Sequence, residues 1–127
     1  MFAQHLYKHI KVPMFVVQSV YDSWSLRNAL GIRCPNPNNC PDDANKVIEE
    51  NRKNVTNVLK EIGSKRKNGV FGIGCILHGM TQYDDYVSER HTIPSNSTWT
   101  LSKAIEHWFK NMKMNNSHID FKPWPSN

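Results

Sequence analysis

Two apolar runs and the segment between them restrict this chain more than any other feature. The first reads Pro13-Met14-Phe15-Val16-Val17-Gln18-Ser19-Val20-Tyr21-Asp22, and the second Gly69-Val70-Phe71-Gly72-Ile73-Gly74-Cys75-Ile76-Leu77-His78. Met14 to Val17 is continuously apolar and largely β-branched, which marks a strand covered on both faces, as in a parallel sheet. Parallel neighbours need a crossover, and one long amphipathic segment lies between the runs. A second amphipathic segment follows His78. The pattern predicts an α/β fold with two parallel strands and flanking helices.

The helices read from their stripes and ends. Phe2, Leu6, His9 and Ile10 stand at helical spacing, and Pro13 ends that short helix. Trp24, Leu26 and Leu30 predict a helical turn closed by Gly31. Asp42 or Asp43 begins a long helix. Its stripe is Ala44, Val47, Ile48, Asn51, Val55, Val58, Leu59 and Ile62, and Gly63 ends it. Glu49, Glu50, Arg52, Lys53 and Lys60 lie away from that stripe. Thr100 caps the last helix, with Leu101, Ala104, Ile105, Trp108 and Met112 on its buried side. Gly72 and Gly74 weaken strand preference and predict close packing against a helix. Residues 79–98 read as a loop, and 114–127 as a polar tail on which Phe121 and Trp124 are the candidates to dock.

The totals narrow the function classes. At 127 residues the chain holds at most one domain, and 39% hydrophobic residues is modest for a free-standing core. The net charge of +5 is spread along the chain, and the one dense run, Lys65-Arg66-Lys67, sits in a turn. No basic stripe is interleaved with aromatics, so nucleic-acid binding is not expected. No run approaches the roughly 20 apolar residues of a membrane span. The cysteines lack CxxC spacing and there is no HExxH, so no metal or other cofactor is expected. Gly69-Val70-Phe71-Gly72-Ile73-Gly74 lies inside a strand, which discounts it as a nucleotide loop. Cys34 and Cys40 flank a Pro/Asn loop that suits a local disulfide, leaving Cys75 as a free thiol or the partner of a cysteine elsewhere. Asn54, Asn96 and Asn115 begin N-glycosylation sequons, which together with the disulfide favour an extracellular setting. The N-terminus itself has no signal-peptide pattern.

Asp22 and His78 each fall just past the carboxyl end of a strand, where parallel sheets gather ligands and chemistry. The interval between them accommodates one crossover helix and the cysteine loop. Neighbouring strand ends bring such side chains within hydrogen-bond reach. There an aspartate fixes the tautomer of a histidine acting as general base. The order strand, acid, helix, strand, base, helix is that of the last third of an α/β-hydrolase. His5, His9, His91, His107 and His118 have no such setting, and His107 beside the last helix's apolar stripe reads as structural.

At these residues a resemblance becomes specific. Phe2-Ala3-Gln4, Pro13-x-Phe15-Val16-Val17-Gln18-Ser19-x-Tyr21-Asp22-Ser23-Trp24, Cys34 with Asn39-Cys40, Gly69-Val70-Phe71-x-x-x-Cys75-x-x-His78 and Thr100-Leu101-x-Lys103-Ala104-Ile105-x-x-Trp108-Phe109 resemble the C-terminal part of the pectin acetylesterase family. That family includes the animal carboxylesterase Notum. The resemblance covers residues 1–113 and implies an α/β-hydrolase-like fold. It also implies a secreted serine esterase without a metal, in which Asp22 and His78 are the catalytic acid and base. The implied substrate is an acetylated polysaccharide or a related acyl ester. Two departures stand out: Gly79 follows the histidine where plant members often have a cysteine, and no Gly-x-Ser-x-Gly elbow occurs. Ser19, Ser23 and Ser25 are not on a Gly-flanked elbow and do not replace it. The expectation is therefore a C-terminal portion that lacks nucleophile and oxyanion hole and is inactive alone. Its missing partner is the N-terminal part of the same domain. The alternative is a non-catalytic carbohydrate-binding or interaction module that uses Trp24, Tyr83, Tyr86 and Trp99 as stacking surfaces.

Overall fold

The computed structural model describes residues 3–34, 39–82, 88–94 and 97–124. Phe2, the loop prolines Pro35 and Pro37, Tyr83, Asp84, Asp85, Tyr86 and the sequon residue Asn96 lie outside them. Strands β1 (Phe15–Ser19), β2 (Gly69–Ile73) and β3 (Asn116–Ile119) form a parallel sheet in the order β1-β2-β3. Helices α1 (Ala3–Leu6), α2 (Asp42–Ser64) and α3 (Leu101–Lys110) flank it. The α/β reading holds, with one strand more than the sequence predicts. Phe15 pairs with Gly69 and Ser19 with Ile73, so both strands end level.

Successive β2 residues point to opposite faces. Val70 joins Ile48, Leu59 and Ile62 of α2, with Val16 of β1 packed on that cluster. Phe71 and Ile73 join Leu101 and Ala104 of α3, with Phe15 and Val17 against them. Every β2 residue is buried, as its unbroken apolar character requires. Glycine permits the tightest approaches. A Cβ on Gly72 would stand 2.7 Å from a Leu59 methyl, so this strand glycine does mark close helix packing. A Cβ on Gly63 would stand 2.9 Å from Ser117 Oγ. Gly63 thus clears room for β3, while α2 runs one residue further, to Ser64.

The helix ends differ in how well they were anticipated. The Thr100 side chain accepts from Lys103 N–H at 3.3 Å and caps α3. The cap position of α2 is Pro41, with Asp42 and Asp43 as first-turn carboxylates at the positive end of the helix dipole. Thr56 is buried on α2, outside the expected stripe, and Val47 within that stripe is exposed. Near the N-terminus Leu6 and Ile10 are exposed, and Tyr7 is the buried residue. The helix there is too short to hold a face of its own.

β3 lies in the segment expected to be a polar tail. Asn-Ser-His-Ile carries no strand signature. Its place is fixed by Asn116, which is 1% exposed and donates to Asn111 C=O and Met114 C=O at 3.0 Å each. His118 packs against Phe71 and Trp99 on the α3 side. The tail then meets the segment that follows β1: Tyr21 Oη donates to Lys122 C=O at 2.9 Å, and Trp124 packs on the Tyr21 ring at 5.0 Å. Phe121 stays exposed beneath the Lys60 ammonium. Cys34 and Cys40 form the expected disulfide, and Cys75 is a free thiol whose pKa burial pushes up.

Candidate active site

The β1–β2 ladder continues one step past the strands, with Val20 N–H donating to Ile73 C=O at 2.9 Å. Both chains then turn away at the same edge. On the β1 side, Asp22 opens a single wide helical turn, Ser25–Ala29. Its backbone carbonyl accepts from Leu26 N–H at 2.9 Å, and its Oδ1 accepts from Ser25 N–H at 2.7 Å. Gly31, at φ +68°, lets the chain leave that turn. On the β2 side, Gly74 to Leu77 forms an irregular arm that delivers His78, and Ser23 N–H donates to Leu77 C=O at 3.3 Å.

The two arms meet at the predicted pair. His78 Nδ1 lies 2.7 Å from Asp22 Oδ2. Burial alone would raise the Asp22 carboxyl, but the hydrogen bonds from His78 and Ser25 outweigh it and hold its pKa below the usual carboxylate range. An ionised carboxylate only accepts, so the proton of this bond sits on Nδ1, and in the neutral ring Nε2 then holds the lone pair. Exposure is divided sharply: the Asp22 side chain is 11% exposed and the His78 side chain 60%. The carboxylate is held inside the protein, and the imidazole faces outward. A hollow of about 190 Å³ adjoins them, lined by Val17, Ser19, Leu77 and Met80 among others. Trp24, 55% exposed, lies over His78 with ring centroids 6.4 Å apart and planes 28° apart.

The geometry places Asp22 and His78 together and leaves the remaining histidines elsewhere. His107 Nδ1 lies 2.9 Å from Asn116 Oδ1, and both His107 and His118 contact Trp99. Sequence reasoning did not single out the backbone donors that pin Asp22, nor Ser19 beneath the pair. Backbone donors leave no trace in residue identity. A small polar residue at a strand end is too common to signal anything.

Comparison with known proteins gives the family. The sequence profile described as Pectinacetylesterase matches residues 1–127. The chain belongs to the pectinacetylesterase family. Among curated relatives it is similar to "Pectin acetylesterase 5" of Arabidopsis thaliana, 23% identical over 124 residues, covering 89% of this chain and 29% of the relative. It is also similar to "Pectin acetylesterase 4" of the same plant, 25% identical over 124 residues, covering 89% of this chain and 30% of the relative. The chain therefore spans less than a third of either relative's length. No solved structure matches it. Among the described residues no helix is long and apolar enough to cross a membrane.

Proposed function

We propose that this chain carries the acid and base of a serine carboxylesterase acting on acetylated polysaccharide. The observation that carries the reading is the 2.7 Å contact between His78 Nδ1 and Asp22 Oδ2 at the carboxyl edge of a parallel sheet. Family membership gives it context. In the working enzyme His78 Nε2 takes the proton of a serine hydroxyl as the serine oxygen attacks the ester carbonyl. The imidazolium formed is stabilised by Asp22 and returns the proton to the leaving alcohol. Water, activated by the same nitrogen, then releases acetate from the acyl-enzyme.

The 127 residues contain no Gly-x-Ser-x-Gly elbow. In this reading the nucleophile and oxyanion hole come from sequence outside them. The sequons, the Cys34–Cys40 disulfide and the family together support a secreted protein. Asn54 and Asn115 are both exposed.

The test joins this chain to the rest of "Pectin acetylesterase 5" in place of that protein's own matching segment. Acetate release from acetylated pectin, lost in His78→Ala, is the expected result. The 127-residue chain alone should neither hydrolyse p-nitrophenyl acetate nor take a fluorophosphonate label. Turnover by the chain alone that depends on His78 would overturn the assignment of the nucleophile. An active hybrid indifferent to His78 would overturn the assignment of the base.

A purely binding role is less well supported. Trp99 is packed against His107 and His118 rather than offered as a platform. Trp24, which is open, lies against the candidate base.

A further inference from the structure

Ser19 stands three residues before Asp22, and Cys75 stands three before His78. Ser19 Oγ donates to Cys75 C=O at 2.5 Å and accepts from Tyr21 N–H at 3.1 Å. A carbonyl only accepts and an amide N–H only donates, so the hydroxyl proton has a single destination. The residue is 4% exposed, at the last β1 position of the sheet register. Its bond to Cys75 spans 56 residues, the same sequence separation as the bond between Asp22 and His78. It therefore acts as a side-chain rung that continues the register after the backbone ladder has stopped.

Other ties span the two arms as well. Past the Val20–Ile73 step, the His78 arm is joined to the acid side by Ser23 N–H to Leu77 C=O, a long bond at 3.3 Å, and by the Asp22–His78 contact itself. Ser19 is also not the missing nucleophile. Its one proton is committed to Cys75, its oxygen accepts from Tyr21, and no glycines flank it.

We propose that Ser19 is a positioning residue that holds the His78 arm at the height where Nδ1 meets Asp22. Without the rung, the arm shifts at Cys75 and the imidazole samples both tautomers. The consequence for catalysis rests on the serine-esterase reading above, but the geometric claim does not.

The decisive measurement is imidazole nitrogen NMR on the 127-residue chain. The unmodified chain should show one His78 tautomer with a protected Nδ1–H, and a slowly exchanging Ser19 hydroxyl proton close to the Tyr21 amide. Ser19→Ala should give tautomer-averaged nitrogen shifts and lose the protected proton. Ser19→Thr, which keeps the hydroxyl, should restore both. In the hybrid enzyme Ser19→Ala should lower kcat by about 10- to 100-fold, the scale of a misplaced catalytic group, with KM little changed. A folded Ser19→Ala chain that keeps the single tautomer and protected Nδ1–H overturns the proposal. If that variant does not fold, the unmodified chain decides, because a fast-exchanging Ser19 hydroxyl overturns it equally. A disturbed tautomer in Ser19→Ala together with a hybrid indifferent to His78→Ala would keep the rung and reject the esterase reading. The opposite pairing would do the reverse.

Discussion

His78 and His107 make the same kind of bond and are set up for opposite ends. Each offers Nδ1 to a side-chain oxygen, at 2.7 Å from Asp22 and 2.9 Å from Asn116. Asp22 is a carboxylate and Asn116 a neutral amide. Only the carboxylate gains energy when the ring becomes an imidazolium, so only His78 has a partner that strengthens as a proton arrives. The surroundings follow suit. The His78 side chain is largely exposed, whereas His107 and its neighbour His118 are packed on Trp99, with His118 Nε2 buried and unbonded. A histidine–oxygen contact alone therefore does not indicate catalysis. The charge of the partner and the exposure of the ring are what separate the two.

This contrast breaks most visibly in activity. In the hybrid enzyme His78→Ala should lower kcat by about 10⁴- to 10⁶-fold, while His107→Ala should leave it within a few-fold. Comparable losses from the two variants would erase the distinction. Asp22→Asn comes next, since it keeps the shape and discards the charge. A loss of about 10³- to 10⁴-fold in kcat is expected, because an amide favours the wrong tautomer. A near-normal kcat would mean that carboxylate and amide are interchangeable here after all.

Stability should show the reverse ranking. Asn116→Ala removes three hydrogen bonds of a buried side chain, to His107 Nδ1 and to the carbonyls of Asn111 and Met114, and should cost about 1–3 kcal/mol by denaturant titration. A cost near zero would mean that β3 is held by something other than these bonds. Acid should then separate the two sites by window. Burial, and then the charge of His107, lower the His118 pKa. The unfolded chain therefore binds that proton first, and stability falls as pH drops below about 6.5, levelling once His118 titrates in the fold. The depressed Asp22 carboxyl contributes above about pH 4, and its contribution is lost as pH falls further through the folded value. Unfolding free energy measured against pH should show both limbs. His118→Phe should remove the upper one, and Asp22→Asn the lower. A single limb that survives both substitutions would contradict the assignment. The smallest expected effect is that of Tyr21→Phe, which loses the bond to Lys122 C=O and should cost about 0.5–1.5 kcal/mol.

The sequence conveyed the parts of this molecule that rest on long apolar patterns. β1, β2, α2 and α3 stand where the patterns place them. Asp22 and His78 stand together because level parallel strands bring their ends together. What escaped has local chemistry that contradicts its place. β3 is a strand built from Asn, Ser, His and Ile, held by tertiary hydrogen bonds rather than by propensity. Tyr7 is buried in place of the expected Leu6 and Ile10, because a single turn of helix takes its orientation from its neighbours. Ser19 looked like one small polar residue among several, and its use depends on a carbonyl far along the chain.

The position of Trp24 over His78 has an optical consequence. An imidazolium quenches a nearby excited indole more strongly than a neutral imidazole does, and this indole is already half in solvent. The chain thus carries its own fluorophore beside the candidate base. A version in which Trp24 is the sole tryptophan would let proton uptake at His78, or the arrival of a ligand between the two rings, be followed by emission.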